Sequence, residues 1–324
     1  LSRPLLAIVI GDPSGVGPEV CVKALATGEP QALARVVLIG SRSTIDEAAR
    51  ISGVSLPLRS VTSFAEARES DAVAVLDDGR LERASYAVGT ASAAGGAASY
   101  AWIQRAIAAA EAGEADAIVI APIDRNSWKL AGITGVTDEM HPPGTYLLRM
   151  TGNLRTIPIG EHVPFREIPE MVTEANVLHV IALIGDQMRR WGFASPRIAV
   201  AGLNPHANGS EDAEQIAPAV VAARARGFDV VGPLSPDTVF RAGVQGRYDV
   251  IVTMYHDQGQ IAVKTFGLEQ AATVFVGLPY VRVGIPHGSA FDVAGTGRAQ
   301  HGTALTAMLT AAHLAAGSEL IARR

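Results

Sequence analysis

Leu5-Leu6-Ala7-Ile8-Val9-Ile10 runs straight into Gly11-Asp12-Pro13-Ser14-Gly15-Val16-Gly17-Pro18-Glu19. An unbroken apolar run of this length reads as a strand covered on both faces. The three glycines let the backbone turn tightly, and Pro18 opens a helix, Pro18–Ala26, where its missing N–H costs nothing. The turn lacks the spacing of the dinucleotide fingerprint and the Lys-Ser/Thr of a P-loop. By itself it is equally a plain strand–helix turn and a cradle whose free N–H groups face an anion.

The same alternation continues outward. Val36–Ile39, Val73–Leu76, Ala117–Ala121, Ile198–Gly202, Val250–Met254 and Thr273–Val276 read as strands. Nearly continuous apolar runs suit a parallel sheet. Helical patterns lie between them at Ala94–Ala112, Glu174–Trp191, Glu211–Arg226 and Gly302–Ala316. Strand and helix alternating at this spacing predict the α/β class. The stretch 45–70 fits neither period, Asp78–Ala87 reads as a polar turn or hairpin, and Gly132–Gly144 as a Pro-rich loop.

Composition sets the outer limits. A chain of 324 residues, 48% hydrophobic and 18% charged, should bury a full core and is more naturally two domains than one. This balance excludes a disordered chain, a collagen and a coiled coil. One cysteine excludes a disulfide scaffold and any cysteine cluster for a metal. Net charge −5 argues against a nucleic-acid surface. The apolar runs are too short for a membrane span, and no signal peptide is evident, so a cytoplasmic enzyme is expected.

Three of the eight histidines sit in loop-like contexts. His162 lies in Gly160-Glu161-His162-Val163-Pro164, His206 in Leu203-Asn204-Pro205-His206, and His256 in Met254-Tyr255-His256-Asp257-Gln258-Gly259. The last two follow strand ends, where open α/β sheets place their sites. Each alone is an ordinary loop residue; together they suggest a divalent metal site with open positions. His179 and His313 fall in helical patterns and read as structural, and His141 and His301 are undecided. Lys264 is a holder of a carboxylate or phosphate, a proton shuttle, or a solvated surface charge. Arg282 offers a planar fork to an oxyanion. Asp237 either caps a helix containing Val239 and Phe240 or takes a proton near the metal. Pro286–Gly297 is rich in small residues, with His287 and Asp292 able to meet a flat, hydroxylated ligand.

Taken together, Gly11–Glu19, His162 through Glu167, Asn204–Ala207, Gly232–Phe240, Met-Tyr-His-Asp-Gln-Gly at 254–259 with Lys264, and Gly277–Gly297 resemble the 4-hydroxythreonine-4-phosphate dehydrogenase family of pyridoxal-phosphate biosynthesis. The resemblance runs nearly end to end. It implies an isocitrate/isopropylmalate-dehydrogenase-like fold, two α/β domains with a cleft between them. Residues 1–128 with 286–324 would form the first, and 129–285 the second, with the metal-binding and dimerisation elements. It implies NAD as cofactor and a divalent metal held by His162, His206 and His256, zinc first, with magnesium or manganese as the other options. It also implies a homodimer that shares its active site. Lys264 and Arg282 match substrate contacts, and Lys264 and Asp237 are the catalytic candidates. His287, Gly288, Ser289, Ala290, Asp292 and Gly295 match the adenosine-binding loop, with NAD expected over NADP.

The chain departs from the family at the far end of the substrate. The family's Gly-His-Thr-Glu becomes Val136-Thr137-Asp138-Glu139, which sets Asp138 and Glu139 where the His and Thr belong. His141 replaces that His only if the loop shifts. The family's Asn before Gly-Leu-Pro is Thr273. The resemblance therefore implies oxidative decarboxylation of a small anionic hydroxy acid, on a substrate other than the family's first. A 4-phospho-threonate or 4-phospho-erythronate, or a cis-dihydrodiol carboxylate, would share the chemistry. A non-catalytic metabolite-binding protein on the same fold is the alternative of a different class. Neither a nucleic acid nor a membrane is expected as partner.

Overall fold

Leu5–Val9 forms β1, with every residue buried. The computed structural model describes residues 3–134 and 141–318. From β1 the chain turns into α1 (Gly17–Ala26), then α2 (Glu29–Leu33), β2 (Arg35–Ile39), α3 (Arg42–Ser52), β3 (Leu58–Ser60), α4 (Phe64–Arg68) and β4 (Val73–Leu76). α5 (Ala93–Glu111), β5 (Ala117–Ile120) and α6 (Arg125–Leu130) follow. Next come β6 (Tyr146–Thr151), β7 (Leu154–Gly160), α7 (Ile168–Met171), α8 (Glu174–Arg190), β8 (Ile198–Ala201) and α9 (Ala217–Ala225). β9 (Val230–Leu234), α10 (Val239–Val244), β10 (Val250–Tyr255), α11 (His256–Gly267) and β11 (Ala271–Val276) complete that stretch, before β12 (Val281–Gly284) and α12 (Gly302–Ala315).

The chain divides into two compact units. One is drawn from Leu1–Pro143 and Leu278–Ala316, the other from Gly144–Gly277. In the first, β3-β4-β2-β1-β5-β12 is an all-parallel sheet. Its strands are the apolar runs of the sequence, buried because helices cover both faces. The chain leaves β1 toward β2 on one side and returns to β5 on the other, which makes the β1/β5 boundary a topological switch point. The 45–70 stretch is α3, β3 and α4. It hid its period because α3 buries only Thr44, Ile45 and Ala48, too narrow a stripe to register. Asp78–Ala87 is a turn with one short 3-10 segment, Arg83–Ser85, and no hairpin.

In the second unit the order is β11-β6-β7-β10-β8-β9. Here the purely parallel expectation is corrected: β6 runs antiparallel to both β7 and β11. The cause is local. Gly152-Asn153 is a two-residue connection in which Gly152 takes φ +54, as tight hairpins require. The Gly-Asn pair was a readable hairpin signal. From β7 onward the ladder is parallel, with Gly160 opposite Tyr255 and Val200 opposite Val252. The carboxyl ends of β7, β10 and β8 therefore lie side by side in that order. Among the described residues no single helix is long and apolar enough to cross a membrane.

Candidate functional site

The three site histidines follow these three neighbouring strand ends: His162 after β7, His256 after β10, His206 after β8. His256 is not in a loop, as the sequence suggested. It is the first residue of α11, which Tyr255 caps. The rings of His162 and His256 lie 5.1 Å apart, centre to centre. Among the described residues, the ligand atoms of Glu161, His162 and His256 all come within 4.8 Å of one another. Asp257 Oδ1 lies 2.6 Å from His256 Nδ1, which fixes the ring and leaves Nε2 outward. Glu161 takes a two-pronged grip from Arg149, at 2.8 and 3.0 Å. The Arg149 side chain is only 6% exposed.

His206 stands apart from that pair. It adopts φ +57 and its neighbour Ala207 φ +54, a left-handed conformation that non-glycine residues pay to hold. The loop is kept there by buried Asp212, which accepts N–H groups of Leu203 and Gly209 at 2.8 and 3.0 Å. Gln258 ties the two strand ends together: it accepts from Met254 N–H at 2.7 Å and donates to the Gly202 carbonyl at 2.8 Å. His206 Nδ1 is 4.0 Å from Asp237, and Ser235 Oγ donates to Asp237 at 2.6 Å. Asp237 does not cap a helix. α10 begins after Thr238, with no side-chain cap. Asp237 instead lines a cavity of about 690 Å³ with His206, Tyr255, Asp257 and Ile261.

The remaining substrate candidates scatter. Lys264 is exposed on α11, beside the cavity residue Thr265. Thr273 is half-buried on β11, directly across from Arg149. Sequence reasoning missed Arg149 and Glu161; a charged residue in the apolar run Tyr146–Thr151 was the available signal. Arg282 is fully buried in β12. Burial pushes its guanidinium down, and Tyr280 opposes that shift. His141 lies in the first unit. Asp138 and Glu139 lie outside the described residues.

The glycine turn and the small-residue loop meet within the first unit. Gly11, at φ +77, passes so close to Pro122 that a Cβ would strike its carbonyl, and a Cβ on Gly15 would strike Ser289. The Val16 N–H bonds to the Ser289 carbonyl at 2.9 Å. Buried Glu19 accepts the N–H groups of Gly295 and Gly297, while Lys23 donates to the carbonyls of Gly297 and Ala299. The first turn of a helix is a favourable place for that carboxylate. The Ser289 hydroxyl is buried with no partner among the described residues. Gly288 has open space beside it, Ala290 sits at φ +42, and Asp292 is exposed. His287 Nδ1 lies 2.9 Å from the Gly288 carbonyl.

The α/β units, the strand-end cluster and the relatives of the chain make it a dehydrogenase acting on CH–OH groups. Residues 32–311 match the family model described as pyridoxal phosphate biosynthetic protein PdxA, and the chain belongs to that family. It is 40% identical over 316 residues to a Novosphingobium aromaticivorans protein given the provisional name 4-hydroxythreonine-4-phosphate dehydrogenase, covering 97% of this chain and 96% of that one. It is 37% identical over 325 residues to the D-threonate 4-phosphate dehydrogenase of Cupriavidus necator, covering 96% and 97%. The crystal structure of a 4-hydroxythreonine-4-phosphate dehydrogenase from Burkholderia phymatum superposes with a TM-score of 0.84 at 34% identity, covering 99% of both chains. The α/β fold is the one shared with that solved structure.

Proposed function

We propose that the chain oxidises the secondary alcohol of a small anionic hydroxy acid with NAD, and that the β-keto acid so formed loses carbon dioxide. The observation that carries this is the convergence of His162, His256 and Glu161 at two adjacent strand ends in a chain of this family. Imidazole ligands suit a borderline divalent ion, zinc before magnesium or manganese. Such an ion would polarise the reacting oxygen and stabilise the charge left by decarboxylation. His206 joins the metal set by resemblance. Its strained backbone supports a functional role, and Asp237 beside it is the acceptor for the hydroxyl proton.

The cofactor reading rests on 286–297. A buried Ser289 hydroxyl with no partner among the described residues, open space at Gly288 and the exposed acid Asp292 fit an adenosine group. His287, Ala290 and Gly295 complete that loop. NAD held by this loop would supply the acceptor for the hydride of the alcohol carbon, and Asp292 near the ribose would disfavour the 2′-phosphate of NADP. Lys264, exposed, holds the substrate carboxylate; Arg282 and His141 are assigned to substrate by resemblance alone. The chain acts as a homodimer, for which Phe165, Ile261, Phe266 and Leu268 supply exposed apolar surface.

By resemblance alone, Thr273, Asp138 and Glu139 in place of the family's residues favour a related acid over 4-hydroxythreonine-4-phosphate. Kinetics on a panel of phosphorylated hydroxy acids and dihydrodiol carboxylates, read by NADH formation with each metal, tests both layers. A kcat/KM above about 10⁴ M⁻¹s⁻¹ on 4-hydroxythreonine-4-phosphate would show that the altered residues do not exclude it. NADH formation from no member, with no nucleotide binding, would leave a metabolite-binding protein.

A further inference from the structure

Consecutive residues of an extended strand point to opposite faces, so Glu161 and His162 should diverge. They do not, because the Val163 N–H bonds back to the Glu161 carbonyl at 2.8 Å. That three-residue turn, centred on His162, brings both side chains to one place. His256 arrives from the adjacent strand, and the three ligand atoms fall within 4.8 Å of one another.

The carboxylate is also pre-set. Arg149 projects from β6, buried, and its two terminal nitrogens each hold one oxygen of Glu161. A buried guanidinium is costly unless paired, so the pair fixes the Glu161 rotamer. A carboxylate has about four lone-pair positions and Arg149 takes two. One oxygen can therefore face a cation while the other side faces the arginine.

We propose that Glu161, held by Arg149, is a ligand of the divalent cation alongside His162 and His256. This rests on the metal reading above and goes beyond its three-histidine set. An anionic ligand tightens the hold on the ion and makes it less electrophilic than neutral imidazoles alone would. Arg149, tied to Glu161, is a positioning residue that offsets this by drawing charge from the carboxylate. Its cross-strand neighbour is Thr273, so the group that tunes the cation stands beside a position where this chain departs from its family.

The test measures metal affinity directly, by chelator competition with zinc, and coordination by the visible spectrum of the cobalt-substituted protein. Glu161→Gln should weaken zinc binding at least about tenfold and shift the cobalt bands. Arg149→Leu should weaken it less. The double variant, which leaves no unpaired buried charge, should retain the loss of Glu161→Gln and serves if that single variant fails to fold. Wild-type affinity with unchanged cobalt bands in Glu161→Gln, or in the double variant, would overturn the assignment. A wild-type protein that takes up no divalent ion would remove the metal reading, and this ligand with it.

Discussion

The loop at 286–297 and the strand-end cluster at 161–162 and 256–257 solve opposite problems. The loop offers backbone and small side chains, so its geometry is held by charges outside it: buried Glu19 holds two of its N–H groups, and half-buried Lys23 takes the carbonyls of Gly297 and of Ala299 just beyond it. The cluster offers side chains that are themselves the chemistry, half-buried or exposed. Removing a loop support should therefore cost stability first. Removing a cluster residue should cost function first.

The largest effect expected is at the cluster. His256→Ala should lower kcat/KM by several kcal/mol, about a thousandfold or more, with urea stability changed by less than about 1 kcal/mol. Equal losses of stability and activity would break the contrast. Mixing inactive His162→Ala with inactive His256→Ala sharpens it: no activity should return, because both ligands of a site come from one chain, and rescue in demonstrated heterodimers would place them on different subunits.

Next comes the loop support. Glu19→Ala leaves the part-buried N–H groups of Gly295 and Gly297 without their acceptor, at about 1–3 kcal/mol of folding stability. NAD affinity should fall while zinc affinity stays unchanged. A loss of zinc instead would mean the two regions are not separable in this way.

A smaller change is expected at Thr273. Thr273→Asn restores the family residue and should raise kcat/KM on 4-hydroxythreonine-4-phosphate about tenfold, the worth of one hydrogen bond. No gain would place the selectivity elsewhere.

The smallest is a pH effect beside the glycine turn. Asp12 is fully buried, and burial raises its carboxyl pKa, with hydrogen bonds from Ser127 and Ser14 opposing. An acid raised on folding binds more protons folded than unfolded between its two pKa values. Stability thus falls as pH climbs from the ordinary carboxyl range through the raised value, and stays lowered above it. Asp12→Asn keeps the acceptor for Ser14 N–H at 2.8 Å and removes that slope. Its stability relative to wild type should rise across that window and level off above it. A difference independent of pH would show that Asp12 titrates normally.

The sequence by itself determined the α/β class, since continuous apolar runs and glycine-rich turns have few other uses. It also singled out His162 and His256, because loop-like contexts beside strand ends are where chemistry accumulates. It could not show that His256 opens a helix. It left Asp237 open between a cap and a proton acceptor, because capping depends on where the helix starts, and α10 starts after Thr238. It passed over Arg149 and Glu161, twelve residues apart in the chain. Their meeting depends on the β6–β7 hairpin register, which puts Arg149 opposite Thr156, and on the turn after Gly160. Residue type is a local property that sequence carries. Which two charges share one buried space is set by strand pairing, and only the tertiary structure decides that.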